Sequence, residues 1–221
     1  MMKYFYLILI LVVFSCKKKV EKPISLRNQI EELMLLKNYK IISKKKINDS
    51  IEFYKAENKY FTINGDFNIK KNKKTDWWTV KKKNGLQILK IEYIIFDKKL
   101  FENQIVFYNE KNEIDTLYSK LYSFKKNGQI LKFYFHTPKN ESHNFSDANF
   151  RYSLLNDNGI VKTDSINFKN GDGSYSCNIT LETSKKIAGF FSAFSSTDSG
   201  GDSLTLGNNT IYTFVDNVAN F

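Results

Sequence analysis

Apolar residues fall into three spacings along the chain. Tyr4 to Phe14 is an unbroken run of eleven, about half of what a bilayer-spanning helix needs. Leu26, Ile30, Leu33 and Met34 then recur at three- and four-residue intervals after Ser25, a capping residue, and Asn38 marks a stop. That spacing predicts a helix of about three turns with one apolar stripe. Residues 38–50 are basic and irregular. From Ile51 the period becomes two, over IEFY, KYFTI, WWTV, LQILKIEYIIF, LFENQIVFY, DTLYSKLYSF and ILKFYF. Leu89, Ile91 and Tyr93 share one face with Lys90 and Glu92 opposite, the pattern of an antiparallel sheet with a wet side. Asn64-Gly65, Asn84-Gly85 and Asn127-Gly128 read as hairpin turns, because type I′ turns need positive φ at both central residues.

Composition changes near Thr137-Pro138. Residues 137–148 are polar and carry turn and linker signals, and short strands follow over FRYSLL, DSINF, SYSCNITL, KIAGFFSAF and TIYTFV. The fold expected is mainly β: a short N-terminal helix, an antiparallel β-meander, and then a β-sandwich. The divisions are a leader over 1–15, a tether over 16–24, a helix plus meander over 25–136, a linker over 137–148 and a sandwich-like unit over 149–221.

Charge adds little. The net of +11 comes from 34 Lys and Arg against 23 Asp and Glu. The lysines are spread through turns and strand edges, where they discourage edge pairing. A basic surface of this kind, on an exported chain, predicts no nucleic-acid partner. The start explains the export: Lys3, the eleven apolar residues, then Val13-Phe14-Ser15-Cys16 followed by three lysines. This fits a secretory signal peptide. The cysteine after a small residue resembles the lipobox of bacterial lipoproteins, and Phe14 is familiar from those of the Bacteroidetes. The resemblance implies cleavage before Cys16, acylation there, and a place in the cell envelope with the bilayer as partner. Without it, the same residues read as an ordinary signal peptide with a chance cysteine, or as an uncleaved anchor. Lys17, Lys18 and Lys19 are either a solvated tether or contacts to anionic headgroups.

A second resemblance lies in GDFNIKKNKKTDWWTV. Gly65, Phe67, Asn72-Lys73-Lys74, Trp77 and Trp78 match the pattern of a MORN-type repeat, with Asp76 where the family has its second glycine. KKNGLQILKIEYI and KKNGQILKFYF echo each other nearby. Such repeats build elongated antiparallel sheets for protein or lipid contact. The C-terminal block is similar to small immunoglobulin- or transthyretin-like modules of Bacteroidetes lipoproteins.

Catalytic chemistry finds no constellation. His136 and His143 are the only histidines and have no third ligand, so no metal is expected there. Asp198 and Asp202, in an acidic glycine loop, read as turn residues before calcium ligands. Glu92, Glu113 and Asp115 are the acids an enzyme reading would need, and no spacing singles them out. With Cys16 acylated, Cys177 has no partner in the chain, and its alternation with Ser176 and Asn178 turns it to the apolar face. Trp77 and Trp78 are adjacent, so they face opposite sides of a strand. One is expected in the core, while the other is a candidate binding residue.

The expected function is therefore that of a non-enzymatic, membrane-anchored lipoprotein without a cofactor. It would act as a scaffold or binder of another envelope or secreted protein. The alternatives are an envelope glycan-binding or glycan-processing protein and an immunity- or antitoxin-like lipoprotein, the last resting only on the MORN-like stretch.

Overall fold

The computed structural model describes residues 26–138, 143–169, 172–181, 186–198 and 204–215. Cys16 and the acidic loop 199–203 lie outside them. Two units are distinguished, residues 1–35 and Leu36–Phe221. In the first, α1 spans Leu26–Met34, and its apolar stripe buries Ile30 and Met34, one turn apart.

The second unit opens with a short 3-10 turn at Leu36–Asn38. The strands are β1 (Lys40–Lys46), β2 (Ile51–Glu57), β3 (Phe61–Asn68), β4 (Lys73–Lys82), β5 (Gln87–Phe96), β6 (Lys99–Tyr108) and β7 (Ile114–Asn127). Then come β8 (Ile130–His136), β9 (His143–Asn156), β10 (Gly159–Lys169), β11 (Ser174–Thr180), β12 (Lys186–Asp198) and β13 (Leu204–Val215). The expected antiparallel β architecture with one short helix is what forms.

β1 to β8 run as a meander, each paired with the next, and β11 then adds beside β8 to complete a nine-stranded sheet. The remaining strands form a four-stranded sheet in the order β10-β9-β12-β13. β1 lies in the stretch expected to be irregular. All seven of its residues are exposed, so its KIISKKK sequence had no buried face to impose a period of two.

Turn chemistry follows the sequence at Gly85 and Gly128, both with positive φ. It departs at Gly65, which sits inside β3 opposite Trp78. A Cβ there would lie 2.4 Å from the indole Cγ, so this glycine is required for close packing and not for a turn. Conversely, β5 and β6 reverse through Asp97 and Lys98, both left-handed, where no glycine advertises a turn.

Along the meander, Ile63, Trp78, Val80, Leu89 and Ile91 form a fully buried row on one face. The largest apolar cluster is elsewhere. Leu131, Phe133 and Phe135 of β8, with Tyr175 and Ile179 of β11, pack on Phe150, Leu154, Ile187, Phe191 and Ile211 of the small sheet. The Phe135 ring stacks on Phe191 at 4.4 Å between centroids and meets Phe150 at 4.7 Å. This is a two-layer sandwich, and one of its layers is the far end of the long sheet. The core therefore draws on residues before and after the stretch expected as a linker, and that stretch is already strand from His143 onward. β11, expected within a separate C-terminal unit, belongs to the first sheet.

Candidate functional site

Three irregularities interrupt the ladders between β3 and β7. In β4, Gly65 pairs with Trp78 but Asp66 pairs with Thr75, leaving Asp76 and Trp77 as extra residues. Asp76 takes φ +54, a left-handed conformation that glycine adopts with less strain. This bulge turns the indole of Trp78 inward, where its Nε1–H donates to the Asp66 carbonyl at 2.7 Å. Trp78 is fully buried, so of the two tryptophans named from sequence it is the packing one. On that same side the Lys74 ammonium lies 5.0 Å from the Trp78 ring and 5.4 Å from the Tyr93 ring. Burial pushes the Lys74 amine down to about 8.

In β6, Glu92 pairs with Gln104 while Tyr93 pairs with Glu102, so Asn103 is the extra residue. A bulge of this kind lets neighbouring side chains point to one side. Asn103 Nδ2 and Gln104 Nε2 both donate to Glu92 Oε2, at 2.7 and 2.8 Å. The Asn103 amide also imitates a strand residue: Nδ2 donates to the Tyr212 carbonyl at 2.9 Å and Oδ1 accepts from the Tyr212 N–H at 2.7 Å. Lys120 Nζ donates to the Thr210 and Glu102 carbonyls. Gln104 Oε1 accepts from the Tyr122 N–H at 2.9 Å. This polar seam fastens β13 to β6 and β7. Burial, then the Glu92 charge, raise the Tyr122 phenol above its ordinary range, and a hydrogen bond with the Phe214 backbone opposes them.

In β7, Ile105 pairs with Lys120 and Phe107 with Asp115, so 116–119 bulge outward. Ser119 closes the bulge: its Oγ–H donates to the Asp115 carbonyl at 2.6 Å and its oxygen accepts from the Phe107 N–H. Leu117 and Tyr118 are left exposed on it. His136 staples the bulge to β11, its Nε2 bonded to the Thr116 carbonyl at 2.8 Å and its Nδ1 to Ser174 Oγ at 3.0 Å.

Between these irregularities lies an open groove of about 450 Å³, lined by Trp77, Lys90, Gln104, Val106, Tyr108, Ile114, Leu121, Tyr122, Ser123 and Phe124. Trp77 is half-buried, and the Lys90 ammonium lies 4.2 Å from its ring centre, a geometry that orients both groups. The groove offers an aromatic wall, an ammonium and an amide. Among the described residues, no group of three or more metal-ligating side chains occurs.

The acids singled out from sequence are used locally. Glu92 holds the seam, Asp115 accepts the Leu117 N–H and Glu113 accepts an Asn109 amide proton. Cys177 faces the sandwich rim, packed against its cluster, and burial pushes its thiol up to about 11. Asn103, Gln104 and Lys120 were missed from sequence. Three polar residues in succession, Glu102, Asn103 and Gln104 within LFENQIVFY, were the available sign of a bulge.

No protein family matches the chain, and comparisons with curated proteins and with solved structures find no match.

Proposed function

We propose that this is an envelope lipoprotein, held in the membrane through acylated Cys16, that binds another envelope or secreted protein without catalysis. The observation that carries the binding half is the Trp77 groove. It joins a half-buried indole to a rim with exposed Ile114, and Leu117 and Tyr118 stand exposed on the adjoining bulge. Aromatic anchors in such settings dominate protein interfaces. The anchoring half rests on the lipobox-like sequence ending at Cys16. Two or more acyl chains there would hold the chain durably.

The test pairs recovery with substitution. Tagged wild-type chain should recover one stoichiometric protein from envelope extract, and Trp77→Ala should lose it while keeping the wild-type melting temperature within a few degrees. Retention on a glycan array, lost in the same variant, would replace the protein partner with a sugar, whose apolar ring face suits an indole flanked by Gln104 and Ser123. Equal recovery by both forms would exclude the groove. Cys16→Ala should abolish labelling by a palmitate analogue, and undiminished label would remove the anchor.

A further inference from the structure

The described residues leave four sheet edges, and three are guarded. β1 carries Lys40, Lys44, Lys45 and Lys46. β10 is bulged at Val161 and bears the Lys162–Asp164 ion pair. β13 has the outward backbone of Thr210 and Tyr212 taken by Lys120 and Asn103. Charges, bulges and covering groups are how edges avoid pairing.

Among the described residues, β11 has none of these from Ser176 to Thr180. SYSCNIT contains no charge and no proline, and its register with β8 is unbroken from Ser174 to Thr180. The Thr137 N–H bonds the Gly173 carbonyl, and the Leu181 N–H bonds the Gln129 carbonyl. Odd-numbered residues of β11 therefore turn their backbone groups to β8, and even-numbered ones turn theirs outward. Asp172 Oδ1 accepts the Ser174 N–H. Ser176, Asn178 and Thr180 present the open edge.

We propose that this edge pairs with the same edge of a second copy of the chain, antiparallel across a two-fold axis. The edge is complementary to itself. Only one antiparallel register overlaps all seven residues, and it sets Ser174 opposite Thr180 and Ser176 opposite Asn178 of the second copy. Those are the outward-pointing residues, so each Ser176–Asn178 pair exchanges two backbone hydrogen bonds, and at each end the Thr180 N–H donates to the Ser174 carbonyl while Asp172 keeps the Ser174 N–H. Their side chains meet as uncharged hydrogen-bonding pairs, which favour strand association. On the other face, Tyr175 meets Ile179, and Cys177 meets Cys177 of the second copy in a non-hydrogen-bonded pair, where side chains approach most closely. An odd cysteine in an exported chain thereby gains a neighbour. A neutral edge is also where two copies of a chain with net charge +11 meet at least repulsion.

The full-length chain, extracted in detergent, tests this. Light scattering should give two chains per particle. Copper–phenanthroline, which takes up the two electrons, should yield tryptic peptide 170–185 disulfide-linked to itself through Cys177. The double substitution S176K/N178K places like charges opposite each other twice, and should weaken the dimer by roughly tenfold or more. S176K/N178E places opposite charges at both pairs, and should restore it. The proposal is overturned by a monomeric wild type or by a dimer that survives S176K/N178K. It is equally overturned by a wild-type dimer lacking the linked peptide, or by S176K/N178E remaining monomeric with a wild-type circular dichroism spectrum.

Discussion

The two ends of the long sheet are built by opposite strategies. From β1 to β8 every strand pairs with its neighbour in sequence, so each hairpin closes a short loop at little entropic cost. In the sandwich, Ser174 pairs with His136 and Phe191 with Phe150, and the core exists only when five strands, β8, β9, β11, β12 and β13, have arrived. The meander is read hairpin by hairpin, whereas the sandwich is one aromatic cluster belonging to no single segment. Between them the fastening combines the polar seam of Asn103, Lys120 and Glu92 with the Phe96 and Phe101 rings against Tyr212. The Trp77 groove opens where the ladders are interrupted.

Truncation inside the aromatic cluster breaks the comparison hardest. Phe191 is fully buried and contacts Phe135, Phe168 and Tyr175. Phe191→Ala should lower stability by about 3–5 kcal/mol, with β9, β11 and β12 losing hydrogen-exchange protection together. Cutting the seam should cost less. Asn103→Ala removes both bonds to Tyr212 and strands buried groups, at about 2–4 kcal/mol. Exchange should quicken first in β13 while the β2 to β5 amides keep their protection. A defect in the meander should be smaller and local. Gly65→Ala drives a methyl into the Trp78 indole, costing about 1–3 kcal/mol and shifting tryptophan emission to the red. The smallest effect has the opposite sign: Asp76→Gly relieves a left-handed backbone and should stabilise by about 0.5 kcal/mol, seen as a small rise in melting temperature.

The same contrast sets what could be read from residues alone. Alternation located β2 to β8 and put Leu89, Ile91 and Tyr93 on the buried face, because both signals are local. It placed Trp77 and Trp78 on opposite sides for the same reason. It could not say that SYSCNITL pairs with ILKFYF and not with its own block, since partner choice depends on which cores meet, and sequence spacing carries none of that. The seam was hidden too. Asn103 matters because a bulge, not a motif, turns it toward Tyr212, and Gly65 imitated a turn because the demand of the Trp78 ring for space leaves the same residue in the sequence as a positive φ does.

The central claim is that the C-terminal strands have no complete core of their own, since Leu131, Phe133 and Phe135 on β8 belong to it. The direct measurement is to express residues 143–221 alone and follow them by circular dichroism and hydrogen exchange, then add residues 26–138 in trans. The account predicts an unfolded fragment without protected amides, which gains β structure and a cooperative melting transition only when the first segment is supplied. A fragment 143–221 that melts cooperatively by itself, with β9 and β12 protected, would contradict it.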